Sequence, residues 1–97
     1  MMTVRLCVLL WEQPGRSDDV VAYEDAVLAL LPNYGGKLLT RSKVLDRSAG
    51  DPFEVQIIEL PEESALSAFL SDSTRSTIAR VHDRDRVIAR TQVLRLE

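Results

Sequence analysis

YEDAVLALLPNYGGKLLTR, running from Tyr23 to Arg41, decides the fold. Val20, Tyr23, Val27, Leu31 and Tyr34 recur at spacings of three and four, with Leu30 widening the stripe, so one face of a helix is apolar. Pro32 limits that helix, because its ring would clash with the carbonyl four residues earlier. Gly35 is placed to take the left-handed conformation past the helix end. Lys37 then starts a strand with no linker between. A helix that turns straight into a strand packs on its own sheet, which is the behaviour of an α+β unit.

Working backwards, Ser17 is positioned to cap the helix, with Asp18 and Asp19 in the first turn where the helix dipole favours negative charge. Pro14-Gly15 marks a turn before it. Thr3 to Trp11 is almost wholly apolar and reads as a strand buried on both faces. Helices cover Val4, Leu6, Val8 and Leu10; something else must cover Cys7, Leu9 and Trp11. So short a chain has too few elements to do both, and a second subunit is the expected lid.

Working forwards, Lys37 to Leu45 has two faces of mixed polarity, as suits an edge strand. By simple alternation Arg41 shares a face with Lys37, Leu39 and Lys43. Asp46 to Pro52 is a polar hairpin connection. Phe53 to Leu60 is a third strand, with Glu59 in line with Val55 and Ile57. Pro61-Glu62-Glu63 opens a second helix striped by Leu66, Phe69 and Leu70. Ser71-Asp72-Ser73 interrupts it, and helical spacing resumes from Thr74 to Val81 through Ile78 and Val81. His82 to Arg90 reads as helix or turn, and Thr91 to Leu96 as the last strand. The order strand, helix, strand, strand, helix, strand is the ferredoxin-like βαββαβ plan, a four-stranded antiparallel sheet with its helices on one face.

All 97 residues form one domain, with 45% apolar and 28% charged residues. A formal charge of −3 argues against nucleic acid as a partner, since phosphate binding needs a basic face. No apolar run approaches the roughly 20 residues that span a bilayer, and the start, MMTVRLCVLLW, lacks the plan of a signal peptide. Cys7 is the only cysteine, which excludes an internal disulfide and suits a reducing cytoplasm. Ten arginines against two lysines is the bias of a GC-rich bacterial genome.

The pattern resembles the small bacterial family known as domain of unknown function 1330. The resemblance rests on Tyr23 and Val27, NYGGKLLTR (Asn33 to Arg41), VQIIELP (Val55 to Pro61), Ala65, Phe69 and Ser71 to Ser73, and covers about Tyr23 to Val93. Its most specific part is the aromatic-Gly-Gly-basic junction followed by Glu59-x-Pro61. Pro32 and Leu60 depart from the pattern, standing where relatives continue the helix and carry an aromatic. The resemblance implies a homodimeric α/β barrel in which two ferredoxin-like sheets meet face to face. It places the chain beside cofactor-independent monooxygenases of antibiotic biosynthesis, chlorite-dismutase-like haem proteins and muconolactone-isomerase-like enzymes, without fixing an activity.

The residues fit to carry chemistry are few. His82, the only histidine, is the weak catalytic candidate, set among charges in VHDRDR. Trp11 ends the first strand, where it either lines the barrel mouth or packs in the dimer interface. Arg41 and Glu59 lie on strands and by alternation face away from the helices, where they either hold a polar ligand or pair across the dimer. Tyr23 begins the helix near the barrel end and, as part of its apolar stripe, reads as core before site. Cys7 is a small core residue. The arginines at 80, 84, 86 and 90 interleave with Asp83 and Asp85 as an ion-paired surface. Gly35-Gly36 follows a helix and precedes a strand, the reverse of a phosphate loop. There is no Ser-His-Asp spacing, no CxxC, no metal ligand set and no cofactor motif.

The expectation is a homodimer binding a small organic molecule, a compact acid or aromatic, in a cleft of the barrel, through Trp11, Tyr23, Arg41 and Glu59. The alternatives are a non-catalytic stress or regulatory module, and a cofactor-independent monooxygenase or isomerase.

Overall fold

A computed structural model describes residues 3–97. Four strands form one antiparallel sheet: β1 (Val4–Glu12), β2 (Lys37–Lys43), β3 (Glu54–Leu60) and β4 (Ile88–Leu96), in the order β2-β3-β1-β4. Helices α1 (Ser17–Leu28), α2 (Glu63–Leu70), α3 (Ser73–Val81) and the short α4 (Arg84–Val87) complete the chain. The molecule is a slab of 40 × 30 × 15 Å.

The alternation of β1 sorts its side chains as its sequence dictates. Val4, Leu6 and Leu10 are buried under the helices with Val20, Val27, Leu66 and Phe69. Cys7, Leu9 and Trp11 face the other way and stay half-buried, with Val55 and Ile57 of β3 beside them. β2 lies at the edge of the sheet, as its mixed faces require.

Several boundaries differ from the sequence reading. α1 begins at Ser17 itself, and the residue before it, Arg16, makes no side-chain cap; the Ser17 hydroxyl bonds the Glu12 carboxylate instead. α1 stops at Leu28, ahead of Pro32, and the stripe continues through a 3₁₀ turn (Leu31–Tyr34) that still buries Leu31. Asp72 caps α3 by accepting from the Thr74 amide at 2.7 Å, and also accepts from the Tyr34 hydroxyl at 2.5 Å. Val81 is exposed, whereas Val87 and Ile88 are buried, so β4 starts three residues before Thr91.

Gly35 caps the 3₁₀ turn at φ +72°, and a Cβ there would sit 3.3 Å from Pro61. Gly35→Ala should therefore cost about 1–2 kcal/mol in urea denaturation.

β2 also carries a bulge. Leu38 pairs with Ile58, but Thr40, not Leu39, pairs with Ile57. The extra residue inverts the alternation beyond it, so Arg41 turns to the helix side. The expectation that Arg41 and Glu59 share the far face is corrected by this one insertion.

Candidate functional site

Between the helices and the sheet lies a cavity of about 340 Å³. Its walls are apolar, from Leu6, Leu10, Val27, Ile58, Leu66 and Phe69. Its polar groups are Tyr23 and Glu24 of α1, Gln56 of β3 and Arg75 of α3. The opening lies along β4, where Thr91, Val93 and Arg95 line the cavity and are exposed; Val93 is 52% exposed. Arg84 and Arg95 stand at that mouth, the first bonded to the Thr91 hydroxyl at 3.1 Å and the second paired with Glu63.

A buried polar chain leads into the cavity. Arg41 donates from Nε to Glu54 at 3.0 Å and also holds Asp25 and the Val21 carbonyl. Glu54, only 1% exposed, accepts from Gln56 Nε2 at 2.6 Å. The same Gln56 nitrogen donates to Glu24 Oε1 at 2.8 Å. Each amide hydrogen thus serves one carboxylate. Burial pushes Glu24 above the ordinary carboxylate range; the Glu54 charge adds to this, while the Gln56 bond and the Arg41 and Arg75 charges oppose it.

Arg75 is the other notable group. Its guanidinium lies 4.8 Å over the Phe69 ring, and one terminal nitrogen reaches the Leu70 carbonyl at 3.3 Å. Its Nε is buried without an acceptor, the only such side-chain atom among the described residues. A buried donor left unpaired costs about 1–3 kcal/mol.

The sequence candidates scatter around this site. Tyr23, 4% exposed, lines the cavity. Arg41 borders a smaller recess of about 150 Å³ with Glu54, Val21, Ser42 and Lys43. Glu59 is on the opposite sheet face, paired with Arg5 at 3.0 Å. Trp11 is on that face too, donating to the Gly50 carbonyl at 2.9 Å with Arg90 stacked 4.4 Å from its ring. His82 is half-buried and edge-on to Tyr23, 6.1 Å between ring centres, outside the cavity lining. Arg41 and Glu59 therefore do not converge on one pocket.

Glu24, Gln56 and Arg75 were not singled out by the sequence reading. A signal for two of them exists. Glu24 sits four residues after Val20 and four before Leu28, within the buried stripe. Glu54 and Gln56 share the β3 face of Ile58 and Leu60, polar residues on a row that should be apolar.

Solved structures with this architecture place the chain. A Pseudomonas aeruginosa protein, PA3566, is similar with a TM-score of 0.78 and 13% identity, over 99% of this chain and 93% of that one. A dimeric ferredoxin-like protein of unknown function from Jannaschia sp. CCS1 is similar with a TM-score of 0.71 and 12% identity, over 99% of each chain. An antibiotic biosynthesis monooxygenase is similar with a TM-score of 0.65 and 14% identity, over 99% and 97%. The chain has the ferredoxin-like α+β fold. No family model matches it, and no curated protein does. Among the described residues no helix is long and apolar enough to cross a membrane.

Proposed function

We propose that this protein is a homodimer that binds a compact organic acid in the cavity between its helices and its sheet. The observation that carries the ligand is a chamber of about 340 Å³ with apolar walls onto which the Arg75 side chain and the buried Glu24–Gln56 pair converge. An acid's carboxylate or carbonyl oxygen pairs with the Arg75 guanidinium, and its hydrocarbon body packs on the apolar walls. Arg84 at the mouth, bonded to the uncharged Thr91 hydroxyl, offers a guanidinium to an incoming anion, while the charge of Arg95 is balanced by Glu63.

The dimer rests on the far sheet face. Cys7, Leu9, Val55, Ile57, Leu94 and Leu96 form an apolar sheet surface that no element among the described residues covers; Leu94 and Leu96 are 42% and 40% exposed. A second copy fits it by two-fold symmetry. The neighbour from Jannaschia is itself described as dimeric. Glu59–Arg5 and Trp11 then belong to the interface and not to the ligand. Membership of the domain of unknown function 1330 family is part of the same reading, supported by the roles of its residues: Gly35 makes the left-handed turn and Pro61 packs against it. A cytoplasmic site agrees with the single free thiol, Cys7.

Thermal shift with small carboxylic acids such as benzoate checks the ligand. Acid at a hundred times its Kd should stabilise the protein by about 2.7 kcal/mol. Val93→Trp, placed at the exposed mouth, should abolish that shift with little change in the unliganded melting temperature. No shift with any acid, or a shift that survives Val93→Trp, overturns the reading.

A further inference from the structure

We propose that Glu24 is the proton-transfer group of this cavity and that, with Arg75, it enolises a bound 2-oxo acid. The inference rests on the acid-binding reading above and adds a reaction to it. Glu24 is 7% exposed, and among the described residues its only hydrogen bond comes from Gln56, to Oε1. The second oxygen has no hydrogen-bond partner among the described residues, although the group lines a chamber large enough for a ligand.

A purely structural account of Glu24 is weak. Gln56 needs one acceptor there, and an amide would supply it without the cost of burying an acid beside Glu54. The chain Arg41–Glu54–Gln56 instead grips one oxygen and orients the carboxyl from behind. Arg75 is fixed by the Phe69 ring and the Leu70 carbonyl, and its side chain lines the same chamber. One group accepts a proton and the other holds a developing oxyanion. That pair matches a carbonyl compound with an acidic C–H, and Arg84 matches its carboxylate at the mouth.

The step balances within the site. The Glu24 carboxylate takes a proton from the carbon next to the carbonyl. The C–H pair becomes the C=C bond, and the carbonyl π pair moves onto oxygen, where the Arg75 guanidinium stabilises it. Glu24 then returns the proton to that oxygen, giving the enol, or to the carbon, giving back the ketone. Burial makes the carboxylate a stronger base than an exposed glutamate, while Arg41 and Arg75 keep it ionisable.

Phenylpyruvate in deuterated buffer is the probe, with exchange of its benzylic hydrogens followed by NMR and binding by thermal shift. The protein should speed exchange by roughly 10²-fold or more over buffer, within the range of general base catalysis. The catalysed rate should rise with pH through an apparent pKa above the ordinary glutamate value. Glu24→Gln, which keeps the acceptor for Gln56, should lose that acceleration while phenylpyruvate still shifts the melting temperature. Binding without acceleration, a pH-independent excess rate, or undiminished exchange in E24Q overturns the proposal and leaves acid binding standing. A shift with benzoate but none with phenylpyruvate also overturns the proposal alone. No shift with either overturns both.

Discussion

Arg41→Ala should lower the stability of this protein by about 3–5 kcal/mol, the usual consequence of removing one partner of a buried ion pair. Glu54 is the reason. Its carboxylate is 1% exposed and is held by Arg41 on one side and Gln56 on the other. Without the guanidinium it stays buried with one amide hydrogen for compensation. Arg41 also ties Asp25 and the Val21 carbonyl of α1 to the edge strand, so the helix loses an anchor as well. Arg41→Lys should recover only part of the loss, because an ammonium cannot reproduce the forked contact. Urea denaturation followed by circular dichroism measures both. A loss under 1 kcal/mol for the alanine variant would mean that water enters and solvates Glu54.

Leu9→Asp should break the proposed dimer, weakening self-association by roughly 10³-fold or more, which is about 4 kcal/mol. Leu9 stands on β1, one of the two inner strands of the sheet, between Val55 and Gln92 in the ladder, on the face away from the helices. A carboxylate there would be desolvated in each subunit and meet a like charge across the two-fold axis. Sedimentation at several concentrations reads the change. The folded monomer should keep its circular dichroism spectrum, since Leu9 takes no part in the buried core under the helices. If the wild-type protein sediments as a monomer at micromolar concentration, the dimer is disproved without the variant.

The fold was legible because its evidence is periodic. The apolar run of β1, the 3–4 spacing of α1 and the Gly35 turn each report one local physical requirement, and together they allow one arrangement. The site was less legible for two reasons. Strict alternation puts Arg41 on the far face, and a bulge at Leu39 changes parity without leaving any mark in composition. Glu24, Gln56 and Arg75 come from three elements, and nothing local shows that they meet around one chamber. The polar interruptions of the α1 stripe and the β3 row were visible as anomalies, and such anomalies are where function tends to lie. Glu59 was noticed for that reason, but it stands on the sheet face opposite the cavity.

The same bulge has a bearing on the fate of the protein at high concentration. β2 is a free border of the sheet, with exposed Leu38 and Leu39 beside unpaired backbone groups. Such a border invites strand-by-strand growth into fibrils, and a flat, regular one would seed it. The extra residue at Leu39 kinks the row of donors and acceptors, so an incoming strand finds no continuous ladder to join.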